Sequence, residues 1–409
     1  MAELTKKLHF LKNGTEQTAK IYTTASEAGS NYISVKVDGI TGYVTIGDIG
    51  NINATMGMVN KSGNTYTILY STLPSLIRTI PTPLSEGRSD LAATSVGNYA
   101  LFGGGEDDHR ITYKIVDAYD TSLTRTTPTA LSEARGRLVA TSVGNYALFG
   151  GDSGTFYKTV DAYDTSLTRT TPTPLSVARY GLAATSVGNY ALFGGGEDNS
   201  YYSTFTATVD AYDTSLTRTT PTPLSVARGA LAATSVGNYA LFGGGEGDHQ
   251  AVYSTVDVYD TSLTRTTPTP LSVARVTLAA TSVGNYALFG GGVGGDFNIF
   301  VAVDAYDTSL TRTTPTPLSV GRGFLASTSV GNYALFGGGI SLTLTDTIDL
   351  SESYTIDAYD TSLTRTTPTP LSECRSYLAA TSVGNYALFG GGEGDHQAVY
   401  STVDAYTVS

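Results

Sequence analysis

Short apolar segments of two kinds alternate along most of this chain. Residues 231–236 (LAATSV) are small and apolar, suited to an innermost strand where elements crowd together. Gly237-Asn238 follows, a pair that tolerates positive φ in a tight turn. Residues 239–243 (YALFG) form a continuous apolar run, the pattern of a strand covered on both faces. Glycines 243–245 then open a loop. Residues 255–259 (TVDVY) alternate, with Val256 and Val258 on one face, and predict a third strand. Asp260-Thr261-Ser262 turns the chain into a short outer strand, Thr264–Thr267. Pro268 ends it, as expected of an edge strand, and Pro270 carries the crossing to the next unit.

The same order recurs. TSVGNYALFGG stands around Gly97, Gly144, Gly188, Gly237, Gly284, Gly331 and Gly384, at spacings of 47, 44, 49, 47, 47 and 53 residues. A second near-constant string, DAYDTSLTRTTPTPLSVAR, runs between the copies. Seven such units predict an all-β fold, a seven-bladed propeller with four strands per blade. Its ends are complementary. The sequence stops at a third strand, within residues 402–407, and an unmatched fourth strand stands at 77–80. Pairing of the two would close the ring and remove an exposed sheet edge. The propeller is therefore read as residues 65–409.

The first residues read differently. Lys7–Leu11 and Thr18–Thr23 flank Asn13-Gly14, and Tyr32–Val37 and Tyr43–Ile46 flank Asp38-Gly39. Both are hairpin signals. They predict a small β domain over 1–50, marginal alone at that size, with 51–64 as a linker.

The pattern Arg-x-x-Leu, a strand ending in Gly-Gly, then Val-Asp-x-Tyr-Asp resembles the kelch repeat over roughly residues 76–409. The resemblance implies a kelch-type propeller that binds ligands on the face carrying the loops between second and third strands. One departure is systematic. The outer strand of kelch repeats usually carries Trp, whereas here Arg78, Arg125, Arg169, Arg218, Arg265, Arg312 and Arg365 stand there. An Arg stem over a neighbouring Tyr would replace that packing. The N-terminal segment is similar to attachment regions of phage and prophage tail appendages of Gram-positive hosts.

Composition narrows the function. A net charge of −12 argues against sequence-independent nucleic-acid binding. A 40% hydrophobic fraction excludes a disordered chain. The single cysteine, Cys374, excludes an internal disulfide framework and a Cys-rich zinc site. The lysines of MAELTKKLHFLKNG have no apolar stretch behind them, and no run approaches the length of a membrane span. The expectation is a chain made in a bacterial cytoplasm, without membrane insertion or signal-peptide export.

Variation among the copies concentrates in two places. One is the pair after the shared Arg: Ser89-Asp90, Gly136-Arg137, Tyr180-Gly181, Gly229-Ala230, Val276-Thr277, Gly323-Phe324 and Ser376-Tyr377. The other is the loop after the glycines. In an antiparallel meander both lie at one end of each blade, and the constant Gly-Asn and Asp-Thr-Ser turns lie at the other. Binding commonly resides in loops on a rigid scaffold, and aromatic side chains are enriched there. The candidate ligand-binding residues are Asp90, Arg137, Tyr180, Phe324 and Tyr377, with Arg110, Phe156, Tyr157, Tyr201, Tyr202, His249, Tyr253, Phe297, Phe300, His396 and Tyr400 from the loops. Plain tolerance of loops to drift is the competing reading. Two readings stand for the shared Arg88, Arg135, Arg179, Arg228, Arg275, Arg322 and Arg375: a framework bond to carbonyls of the blade crossing, or a positive ring that accepts an acidic ligand.

Catalytic signals are lacking. The four histidines are His9, His109, His249 and His396, and Asp248-His249 alone is too few ligands for a metal. One Cys does not supply the Cys–Tyr and two-His set of kelch-class copper oxidases. No Asp box or G-x-S-x-G elbow occurs, and GGGEG reads as a turn, not a phosphate loop. No cofactor or enzyme activity is expected. The expected function is adhesion: a phage or prophage tail receptor-binding protein, carried in the virion, that recognises a host-surface glycan or protein. Its N-terminal domain would hold tail or baseplate proteins and support homo-oligomers. The alternative is an intracellular bacterial scaffold with a protein partner.

Overall fold

The computed structural model describes residues 76–409 apart from 153–156, 199–203 and 345–347, together with the backbone of six strands nearer the N-terminus. Two units separate between Ser75 and Leu76. The first is one antiparallel sheet. Lys7–Lys12, Thr15–Tyr22, Tyr32–Val37 and Ile40–Thr45 form a meander, and Gly57–Lys61 and Asn64–Tyr70 add a hairpin beside Lys7–Lys12. The sequence reads 51–64 as a linker and starts the propeller at 65. The structure instead puts Gly57–Lys61 and Asn64–Tyr70 in the N-terminal sheet, because Ser62-Gly63 separates two runs able to pair as a hairpin.

The second unit is an all-β, seven-bladed propeller. Blade 1 pairs Ala92–Val96, Tyr99–Gly103, Val116–Asp120 and Arg125–Thr126 in order, antiparallel throughout. Blades 2 to 6 repeat it. In blade 7 the strands Ala379–Val383, Tyr386–Gly390 and Val403–Val408 are completed by Leu76–Thr79, with Tyr406 opposite Arg78.

Packing explains why the strand sequences hardly vary. Each of the seven apolar clusters lies between adjacent blades, as where Leu101 and Val116 of blade 1 meet Phe149 and Tyr163 of blade 2. The glycine ending the second strand is required by a neighbour: a Cβ on Gly103 would come within 2.8 Å of the Phe149 ring.

A buried charge cluster clamps each crossing. Asp117 is fully buried and accepts Arg88 at 2.7 Å, Arg125 at 2.7 Å, and the Ser85 hydroxyl. Arg88 also donates to the Phe102 carbonyl, and the Tyr119 hydroxyl donates to the Thr82 carbonyl. The cluster recurs in every blade, including Arg135–Asp161 and Arg375–Asp404. In blade 7 the outer arginine is Arg78, from the opposite end of the unit. Two sequence questions are settled here. The outer arginines pair through their guanidiniums with the third-strand Asp, from a position directly opposite the third-strand Tyr. The shared arginines are framework groups, fully buried, so they form no ring open to an acidic ligand.

The constant turns are also held by packing. Gly97 has φ +53°, and a Cβ there would meet the Thr165 side chain of the next blade's Asp-Thr-Ser turn at 3.0 Å. Asp164 Oδ1 accepts the N–H groups of Ser166 and Thr168. Constancy at this end is therefore a framework requirement, and tolerance elsewhere accounts for part of the contrast between the ends.

Candidate functional site

The innermost strands surround a central channel of ≈ 250 Å³. Leu91, Ala92 and Ala93 and their equivalents wall it, with side chains that are apolar except at Ser327 and backbone groups supplying the rest of the polar surface. The channel therefore offers little chemistry, and interest moves to its mouth.

Seven residues ring that mouth, one per blade: Asp90, Arg137, Gly181, Ala230, Thr277, Phe324 and Tyr377. Each directly precedes the leucine that starts the channel wall. Their backbones form a continuous chain of hydrogen bonds. Ala230 N–H donates to Gly181 O, Thr277 to Ala230, Phe324 to Thr277, Tyr377 to Phe324, Asp90 to Tyr377 and Arg137 to Asp90, at 2.7–3.2 Å. All seven have φ between +50° and +60°. An L-residue in this region costs about 1 kcal/mol or more, which Gly avoids. Gly fills one position and side chains fill six.

A second tier stands outside the first. The residue preceding each ring position bridges to the residue that follows the glycine run in several blades: Ser89 to Glu106, Gly229 to Glu246, Ser376 to Glu393. Tyr180 lies in this tier, half-buried, paired with Glu197 through the short strands Arg179–Tyr180 and Glu197–Asp198.

Charged groups of three blades meet at one sector. Arg110 of the blade 1 loop reaches Glu106 at 3.1 Å, Asp90 at 3.6 Å and Glu393 of the blade 7 loop at 3.4 Å. Arg137 of blade 2 lies 3.5 Å from Asp90 and 3.8 Å from Glu106. The two guanidiniums are 45% and 48% exposed, whereas Asp90 is 12% exposed. Burial, then a hydrogen bond with Glu106, pushes the Asp90 carboxyl up to about 7 against the pull of Arg137. Near neutrality the Asp90 carboxyl is therefore partly protonated. Tyr377 adjoins the cluster. Burial raises its hydroxyl pKa first, then the charges of Asp90 and Glu393. Its ring lies 4.7 Å from that of Phe324, tilted by 38°.

The other candidates stand apart from this sector. Phe297 is 83% exposed at a loop tip, and His249 is exposed. Tyr253 and Phe300 pack over their own loops, where a Cβ on Gly247 or Gly294 would come within 2.8 Å or 3.0 Å of the ring. They hold the loops rather than extend from them, and Tyr400 packs over Gly394 in the same way. Tyr157 is half-buried. Phe156, Tyr201 and Tyr202 lie outside the described residues, as does the His396 side chain. Glu106 and Glu393 are the residues that the sequence analysis passes over. Their signal is a Glu directly after GGG in four copies, at Glu106, Glu197, Glu246 and Glu393. Among the described residues no group of three or more His, Cys, Asp or Glu is placed to hold a metal ion.

No protein-family profile matches the sequence. No curated protein matches it. In fold the chain is similar to the solved structure of YjhT, a kelch-repeat protein, with a TM-score of 0.55 over 80% of this chain and 99% of that one. Identity is 11%, so the likeness is one of fold. The similarity of the N-terminal segment to phage tail appendages finds no support in these comparisons.

Proposed function

We propose that the propeller is a non-enzymatic adhesion module that engages a host-surface glycan or protein through its mouth face. The N-terminal sheet would attach it to a phage or prophage tail, consistent with the sequence likeness of that segment. One observation carries the reading. Six of the seven ring positions bear side chains on a backbone that Gly would adopt more cheaply, and those six side chains all differ. Relaxed drift would favour Gly there, so retained and varied side chains point to recognition.

The test is capture of a panel of bacterial cells by the full chain. Replacing Tyr180, Phe324 and Tyr377 together by Ala should abolish capture, with the melting temperature followed in parallel. Undiminished capture by the folded variant overturns the reading. The second reading is an intracellular scaffold with a protein partner. The bare Phe297 ring favours it, since an exposed aromatic suits a protein interface.

A further inference from the structure

We infer that the Phe324–Tyr377 pair and the Asp90–Glu106–Arg110–Arg137 cluster beside it form one subsite for a single uncharged pyranose ring. The inference rests on the mouth being the binding face and names the ligand class for it.

Three features of the sector select this class. The first is charge balance. Arg110 and Arg137 contribute two positive charges. Glu393 and Glu106 stand against them, and Asp90, which is partly protonated near neutrality, adds only part of a further negative charge. The charges nearly cancel near pH 7, so an acidic or basic ligand gains little net Coulombic attraction. The second is the mixture of donors and acceptors. Half-exposed guanidiniums donate, while carboxylate oxygens accept and are already held in place by the same arginines. Neighbouring sugar hydroxyls need both kinds of partner within one small area. The third is the adjoining aromatic surface. Tyr377 and Phe324 come from consecutive blades, and their 38° tilt leaves the pair splayed rather than closed face to face. The apolar C–H face of a pyranose packs on such a surface. Phosphate or carboxylate ligands use arginines without needing this platform.

The subsite is built across blades 6, 7, 1 and 2, so no single repeat contains it. Tyr377 and Arg137 also sit on left-handed backbone, with φ +53° and +50°. A glycine at either position removes the ligand contact while relieving the backbone, which separates a binding defect from a folding defect.

A glycan array probed with the full chain tests this, using neutral hexopyranosides and N-acetylhexosaminides beside sialylated, glucuronylated and phosphorylated glycans. The expected result is binding to one neutral class. Tyr377→Gly and Arg137→Gly should each weaken it tenfold or more at an unchanged or higher melting temperature. Binding should weaken as pH rises through about 7, when Asp90 loses its proton beside Glu106, Arg110, Arg137, Glu393 and Tyr377. Asp90→Asn should flatten that profile. Binding confined to acidic glycans overturns the ligand class and leaves the binding face standing. Neutral-glycan binding that survives both Gly variants overturns the subsite. Cell capture without any glycan binding overturns the sugar and retains the face. Failure of the unsubstituted chain to capture any cell overturns the face as well.

Discussion

Leu123, Leu167, Leu216, Leu263, Leu310 and Leu363 stand at one end of the propeller, and Asp90, Arg137, Ala230, Thr277, Phe324 and Tyr377 at the other. All twelve adopt left-handed backbone, with φ between +50° and +62°. The backbone penalty is of one kind at both ends. At the first end one residue type is repeated six times, because each Leu packs against an inter-blade cluster, as Leu123 does beside Tyr119 and Leu263 beside Tyr259. At the mouth the framework asks only for the backbone hydrogen bond and leaves the side chain unspecified. Left-handed geometry alone does not fix the residue. What lies beyond the Cβ does.

The sharpest challenge to this contrast comes from two arginines in one crossing. Arg135 is fully buried on Asp161, and Arg137 is half-exposed two residues later. Arg135→Ala leaves a buried carboxylate short of a partner and should cost about 3–5 kcal/mol. Arg137→Ala removes exposed ion pairs and should cost about 0–1 kcal/mol. Equal losses in chemical denaturation would erase the distinction between framework and mouth. A smaller effect comes from glycine replacements at the two ends. Leu263→Gly relieves the backbone but forfeits half-buried apolar surface, for a net loss of roughly 1 kcal/mol. Thr277→Gly relieves a β-branched residue in the same conformation and should gain roughly 0.5 kcal/mol. Matching signs would show that the mouth side chains are held by packing after all. The subtlest effect is a pH trend. The folded chain retains a proton on Asp90 that the unfolded chain releases at its lower, ordinary carboxyl pKa. This contribution is therefore complete at low pH and is lost as pH rises through about 7. Asp90→Asn should lack the trend, so the melting temperature of the variant should gain on the parent from pH 5 to pH 8. Parallel curves would place the proton elsewhere.

Much of the fold could be read from the sequence because the repeats are nearly identical. The strand order follows from YALFG and VDAYD, and ring closure follows from a missing last strand and an unmatched first one. The outer arginine was harder. Its partner Asp lies eight residues earlier, and only the hairpin register shows that Tyr119 opposes Arg125 and that the guanidinium turns back to Asp117. The hairpin over 57–70 was hidden by the Gly- and Asn-rich stretch before it. The mouth was legible as a set of variable positions but not as a chemical site. Asp90, Arg110, Arg137 and Glu393 meet only through blade geometry, across more than 300 residues of sequence. Glu106 and Glu393 looked like parts of a repeated turn.

Closure by Leu76–Thr79 also sets an order of events at the ribosome. The partner of this strand, Val403–Val408, is the last strand of the propeller to be synthesised, while Leu76–Thr79 emerges ahead of every blade. Until Val403–Val408 has been made, the growing propeller carries an open strand edge and Asp404 has yet to meet Arg78. The earlier blades can pack on one another during this interval, but the final seal waits for a contact of very long sequence separation, which forms slowly. A nascent chain stalled before Val403 would therefore present a sticky edge to its neighbours on the same polysome.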